Sequence, residues 1–397
     1  MKIAIVVGGR WHAFDLAQWL ERKKVLGRLI TNYPKFKTRQ WGIPDQKVTS
    51  LLVSFIASQL VFRFGWESAA KTFQHQLHAM FAHPAARRLK GMDLVHGFSS
   101  SSEPSIDWCR QHHIPFVLER GSSHMLEQTQ ILEEEKLLTG IRVSITHPKI
   151  IEQELREYEK ADRISVVSRF VYDSFVRQGV KEEKLFYNPL GVNLSAFFPG
   201  QKVDNRFRVI YAGALSLRKG IGYLVKSFHL ARIPQAELLL VGGASWETPQ
   251  LLKDAGPEVV RTGKVPQREL TSLYHRADVF AIASVEEGMA MVVPQAMACG
   301  LAVVCSANTG AKDVLEMINQ GIPPIEHGKI LEYSAGYIVP PRDTEAMGWC
   351  LARLAADADL LMAKRKAALL IHERKIDWEA YADRSIALYR EMLHISP

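Results

Sequence analysis

With 397 residues, 47% of them hydrophobic and 23% charged, the chain has an ordinary globular composition and the length of two or three domains, enough to bury more than one core. Its net charge of +8 is uneven: residues 1–100 hold 15 Lys/Arg against 5 Asp/Glu, which leaves the remainder at −2. That basic N-terminal part suits an anionic partner such as a diphosphate, an acidic lipid surface or a polyanion, although charge also serves plain solubility. The four cysteines, Cys109, Cys299, Cys305 and Cys350, lack CxxC spacing and indicate neither a zinc site nor a disulfide framework.

The N-terminus, MKIAIVVGG, is too short for a signal peptide and has no small-residue cleavage site. It reads as a first core strand, Ile3–Val7, and the expectation is a cytoplasmic protein. Gly8 and Gly9 follow, then a helix from about Ala13. Strand, glycine pair and helix in that order put free backbone N–H groups where a phosphate can approach. The longest apolar run, residues 48–62, is flanked by Lys47 and Arg63 and is too short for a transmembrane helix of ~20 residues. It could lie in a membrane interface or line an acceptor groove, but a core-facing amphipathic helix is commoner and is the expectation here.

Strand ends are predicted at 93–97 and 115–119, with a helix over 103–112 between them. His124 lies just beyond the second strand at a helix start, where a histidine is either a cap or an acid–base group. Glu119 and Arg120 could be a structural ion pair. Helical periodicity covers 133–160, a strand covers 164–167, and Ser168 is placed to cap a helix reaching about Gln178. Asn188 and Gly191 read as turn residues that could also border a cleft. The polar stretch GQKVDNR at 200–206 is the linker candidate.

After the linker the same grammar repeats. A strand at 207–211 leads to a loop containing Gly213, Arg218, Lys219 and Gly220, then a helix over Ile221–Ala231 and strands at 236–241 and 259–262. The stretch 277–304, ADVFAIASVEEGMAMVVPQAMACGLAVV, contains a buried strand at 279–283, an acidic turn with Ser284, Glu286, Glu287 and Gly288, a helix over 289–299 and another strand at 302–305. Ligands of parallel sheets bind outside the carboxyl ends of the strands, so the chemistry is expected at that turn.

This stretch resembles the C-terminal signature of the family-4 glycosyltransferases (glycosyl transferases group 1), retaining enzymes of the GT-B architecture that use nucleotide-diphosphate sugars. Ser284, Glu287, Gly288, Ala296, Met297, Ala298 and Gly300 match its pattern in register. Met289, Ala290 and Gln295 stand where the pattern has an aromatic residue, a second glycine and a second glutamate, and Ala214 stands where it has an arginine. The passage 157–199 resembles the family's closing of its first domain, with Asn193 for the usual Asp.

The resemblance implies an α/β protein with two Rossmann-like domains facing across a central cleft. Residues 1–199 would form the acceptor-side domain, with a C-terminal helix at 377–397 packed on it; 200–206 would be the linker and 207–376 the donor-side domain. It implies metal-independent, retaining transfer of a sugar from a nucleotide-diphosphate donor, UDP- or GDP-linked, to a hydroxyl acceptor that is a glycan, a lipid-linked molecule or a small molecule. No cofactor, metal or nucleic acid is implied, and no DxD pair stands near a strand end. The catalytic candidates are Glu287, Lys219 and His124. Gly8, Gly9, Arg218 and Lys219 would hold the diphosphate, since a leaving group that gains negative charge needs positioned cations or N–H donors. Glu287 would accept from donor-sugar hydroxyls while the N–H groups of Gly288, Met289, Ala290 and Met291 approach the sugar and phosphate. Gln295 would meet the ribose and Val265 the nucleobase. The departures leave two other readings open: a non-catalytic nucleotide-sugar-binding or scaffolding protein on this fold, and a sugar-nucleotide epimerase or phosphorylase. The basic N-terminal domain allows peripheral contact with the inner membrane face.

Overall fold

The computed structural model describes residues 1–63 and 73–395. Seven parallel strands form the first sheet in the order β3-β2-β1-β4-β5-β6-β7: β1 (Ile3–Val7), β2 (Leu26–Thr31), β3 (Val48–Ser50), β4 (Leu94–Phe98), β5 (Phe116–Arg120), β6 (Arg163–Val166) and β7 (Leu185–Tyr187). The second sheet has the order β10-β9-β8-β11-β12-β15-β14-β13. Its strands are β8 (Arg208–Ala212), β9 (Glu237–Val241), β10 (Val259–Gly263), β11 (Val279–Ile282), β12 (Ala302–Ser306), β13 (Ile325–His327), β14 (Ile330–Tyr333) and β15 (Gly336–Val339). Only β13 and β14 run antiparallel to their neighbours, at one edge. The central strands are buried along their whole length, as unbroken apolar runs such as IAIVV and VFAI require when helices cover both faces.

In both sheets the parallel strand order reverses at the first strand of the sheet in sequence. β1 pairs with β2 on one side and β4 on the other, and β8 pairs with β9 and β11. The loops leaving β1, β4, β8 and β11 therefore splay apart and open a crevice at each switch point. The two crevices face each other.

The last helix, Trp378–Met392, returns to the first sheet. Tyr381, Ala382, Ile386, Leu388 and Tyr389 join the N-terminal core. Asn188 anchors that return and is fully buried: its Nδ2 donates to Ser385 Oγ at 3.0 Å and its Oδ1 accepts from Arg384 Nε at 2.8 Å. It is thus neither a simple turn residue nor a cleft border. At Gly191 a Cβ would lie 2.5 Å from the Trp378 Cα, so close approach of the two segments dictates glycine.

Two local expectations are corrected. The helix expected from Met289 begins at Val292, because the turn before it bonds sideways to the loop after β12: Glu287 N–H donates to Asn308 O and Ala290 N–H to Thr309 O, both at 2.9 Å. The apolar run after β3 forms the helix Leu52–Arg63, which is not core-facing over its first half. Leu52, Val53 and Ile56 point outward, Val53 with 68% exposure, while Ser54 is buried and its hydroxyl donates to Leu51 O. The run is apolar at most positions, so its sequence offers no polar stripe to mark the outward face.

Candidate active site

The facing crevices enclose a cleft of about 1030 Å³. The N-terminal wall includes Gly8, Trp11, His12, Glu119 and Gly121; the C-terminal wall includes Arg218, Gln267, Glu287, Met291 and Gln295.

Lys219 lies in the loop leaving β8, behind the cleft surface, and Glu287, which lines the cleft, lies in the loop leaving β11; their side chains form an ion pair. Gly220 makes this possible: its backbone is left-handed (φ +66°), and a Cβ there would run into the carbonyl of Ala283. The loops are also joined by Val285 N–H donating to Arg218 O at 3.0 Å. Burial, and then the neighbouring Arg218, push the Lys219 ammonium down to about 7. The nearby Glu286 carboxylate opposes that shift by favouring the charged form.

Arg218 is turned to the adjacent acid. Its Nη1 meets Glu286 Oε2 at 2.7 Å, and Glu286 also accepts from Ser123 N–H (3.0 Å), Ser123 Oγ (2.9 Å) and Gln128 Nε2 (2.9 Å). Burial alone would raise this carboxyl. Arg218, Gln128 and Ser123 outweigh burial and hold it below its usual range. Glu286 therefore bridges the second domain to the first. Further ties are Ser168 Oγ donating to Gly288 O at 2.6 Å, Arg169 N–H donating to Asp313 at 2.7 Å, and Tyr223 OH donating to Glu135 at 3.0 Å.

On the N-terminal wall, the buried Glu119 joins two histidines: His12 Nε2 at 3.0 Å and His96 Nε2 at 3.2 Å, with Tyr389 OH at 2.6 Å from His96 Nδ1. Burial opposes ionisation of Glu119, but the hydrogen bonds to both imidazoles bring it down to about 2. Arg120 does not pair with Glu119. It meets Glu154 at 3.0 Å and donates to Ser123 O and Gln128 Oε1, positioning the two residues that grip Glu286.

The structure places the other sequence-predicted residues as follows. Gly8 and Gln295 line the cleft, as does the Met291 side chain. Gly9 stands behind them, its carbonyl accepting from Thr31 Oγ1 at 2.9 Å. In the β11 turn, Ala290 is buried with its N–H already bonded to Thr309 O, and Met291 N–H turns back to Met289 O, which corrects the role given to both amides. Among the described residues, Gly288 and Met289 keep N–H groups in this turn without a protein partner. The Met289 sulfur accepts from Leu190 N–H at 3.3 Å. Val265 packs half-buried on the C-terminal core, and Gln267 lines the cleft near it.

His124 is also corrected. It is buried beneath the cleft wall, caps the helix Met125–Thr139 by accepting from Leu126 N–H, and packs on Tyr158 and Phe175 with ring centroids 4.8 and 4.9 Å away. Burial and then Arg120 push it down to about 4, a neutral structural imidazole. His12, Ser123 and Gln128 were missed from sequence, and the inter-domain role of Glu286 and the histidine partners of Glu119 were not foreseen. Only the doubled acid Glu286-Glu287 carried a local signal.

Two Rossmann-like domains closed on a shared cleft, with the cationic and acidic loops of the second domain at its switch point, define the GT-B class of glycosyltransferase. Residues 206–357 match the family described as glycosyl transferases group 1, and the chain is a glycosyltransferase. The alpha-maltose-1-phosphate synthase of Mycolicibacterium smegmatis is 27% identical over 311 residues, covering 70% of this chain and 73% of that protein. Alignments with further relatives cover little more than half of those proteins' length. Among solved structures, sucrose-phosphate synthase from Thermosynechococcus elongatus superposes with a TM-score of 0.71 at 21% identity, covering 100% of both chains. Anabaena HepE in complex with UDP and glucose gives 0.65 at 17% identity, covering 98% of this chain and 100% of that one.

Proposed function

We propose that the cleft binds a nucleotide-diphosphate sugar and transfers the sugar, with retention and without a metal, to a hydroxyl acceptor held on the N-terminal wall. The observation that carries this reading is the Lys219–Glu287 pair with Arg218 beside it, at the switch point of the second sheet. A diphosphate entering here draws Lys219 off Glu287, and the freed carboxylate accepts from sugar hydroxyls. Gly288 and Met289 supply N–H donors next to it, and Gln295 offers one acceptor oxygen and two donors to the ribose. UDP is the nucleotide we favour, because HepE was solved with UDP.

In the transfer step the bond from the anomeric carbon to the phosphate oxygen breaks and its electron pair stays on the diphosphate, where Lys219 and Arg218 stabilise the charge. The acceptor oxygen bonds to the same face of the carbon, and its proton passes to the departing phosphate oxygen. Side-chain cations thus supply the charge that a divalent metal would otherwise bring. The test is nucleotide release from UDP-sugars with candidate acceptors. It should persist in EDTA, give a product with the donor's anomeric configuration by NMR, and fall by roughly 10²–10³ in Glu287→Ala. Inversion, or loss of activity in EDTA that added divalent metal restores, removes those parts of the reading.

We also propose peripheral contact with an anionic membrane through the outward face of the helix Leu52–Arg63. Leu52, Val53 and Ile56 are exposed, as is Phe36, and the Lys37 ammonium lies 5.4 Å from the Phe55 ring. Such a face combines apolar insertion with attraction to acidic headgroups. Among the described residues no helix is long and apolar enough to cross a membrane. Co-sedimentation with phosphatidylglycerol vesicles, weakened by salt and by Val53→Glu, checks this; equal recovery with neutral phosphatidylcholine vesicles counts against it.

A further inference from the structure

We propose that Trp11 is the stacking platform of an acceptor subsite for a pyranose ring, so that the acceptor hydroxyl belongs to a sugar. This rests on the donor occupying the opposite, C-terminal wall.

Trp11 combines three properties that its own fold does not explain. It lines the cleft, it is 71% exposed, and its backbone is left-handed at φ +40°, a conformation that a bulky residue rarely adopts. Strain and exposure of a large aromatic side chain both work against folding, and they persist where a site needs the group in that place. The indole rests against Gly9, where a Cβ would come within 3.0 Å of its Nε1, so this glycine clears space for the ring. One indole edge is thus seated while most of its surface is left to solvent in the cleft.

The surroundings suit one kind of molecule. A pyranose has a patch of C–H groups on one face and a rim of hydroxyls, each both donor and acceptor. An aromatic plane fits the first and convergent polar groups fit the second. Here the rim holds Asp15, Asn32, Gln74 and His78, all lining the same cleft. Asn32 Oδ1 is buried without a hydrogen-bond partner. His78 Nδ1 donates to Ser100 O at 2.8 Å, which leaves Nε2 of the neutral ring as an acceptor. A plain aliphatic alcohol would leave this polar set unused.

The experiment has two arms. In the first, a panel of methyl glucosides, galactosides, mannosides and N-acetylglucosaminides is tested for binding by saturation-transfer NMR with no donor present, which separates the subsite from the donor reading. At least one should bind wild-type protein and lose its signal with Trp11→Ala. In the second arm, transfer from a UDP-sugar to that glycoside is measured. Trp11→Ala should raise the acceptor KM at least about tenfold, with the donor KM and donor hydrolysis in water unchanged, and Trp11→Phe should recover most of the loss. Neither variant should lower Tm, since the side chain supports no core. The proposal is overturned if no glycoside binds, if Trp11→Ala leaves glycoside binding and KM unchanged, or if it raises the donor KM equally. Absence of nucleotide release with glycoside binding intact overturns the donor reading and leaves the subsite standing.

Discussion

Lys219 and Glu287 are ion-paired with each other, one in the loop leaving β8 and the other in the loop leaving β11. The two groups meant for opposite parts of a donor thus neutralise one another, and a diphosphate replaces one half of an existing pair. Neither charge has to stay buried alone, which would be costly. Lys219→Ala and Glu287→Ala should each lower kcat/KM by roughly 10²–10³, measured by nucleotide release, and each should also lower Tm, because the remaining charge is left buried without its partner.

Lys219 also sets a pH dependence. Burial depresses its folded-state value to about 7, so the ammonium is present below that pH and is lost as pH rises through it. Donor affinity should fall over that rise, giving a descending limb in kcat/KM. A bound diphosphate favours the ammonium, so the same limb in kcat should lie at higher pH. Coincident limbs in the two profiles would assign them to another group.

Glu286 and Glu287 should separate cleanly. Glu286→Ala leaves Arg218, Ser123 and Gln128 without their shared acceptor and removes the strut between domains. Breaking such a buried pair costs about 3 kcal/mol at the lower end of the usual range, appropriate because Arg218 is partly exposed. Urea denaturation should show that loss, and small-angle scattering should show a larger radius of gyration as the cleft opens. Glu287→Ala should leave the radius of gyration unchanged, because Glu287 pairs within its own domain.

His124 predicts an acid-side stability slope. Its folded-state value of about 4 lies below the ordinary 6.5, so the unfolded chain takes up the proton first. The stability contributed by the neutral ring is complete above 6.5 and is lost as pH falls toward 4, to a total of up to about 3 kcal/mol. His124→Asn, which still caps the helix, should flatten that slope and leave turnover unchanged.

The returning helix should be indispensable. Tyr389→Phe removes the hydroxyl partner of His96 and should cost about 1–2 kcal/mol by urea denaturation. Deleting residues 377–397 uncovers the surface filled by Tyr381, Ile386 and Tyr389 and should abolish soluble expression.

Much of the scaffold was legible because its signals are local. Unbroken apolar runs mark strands buried on both faces, the glycines after β1 and β8 mark switch-point loops, and the helix Ile221–Ala231 and the Ser168 cap stand where their residues predicted them. The site was legible only where one short motif held it, as with Lys219 and Glu287. The Leu52–Arg63 helix misled because a uniformly apolar run does not say which face is buried.

By itself the sequence determined which segments become strands, which loops leave their carboxyl ends and which charges those loops carry. These depend on side-chain pattern over a few neighbouring residues. Tertiary structure alone decided that Glu286 spans the domains, that His124 lies beneath the wall, and that Trp11 stands in the cleft. Glu286 and its partner Ser123 are 163 residues apart, and burial and charge at such positions are set by what distant chain segments bring beside them.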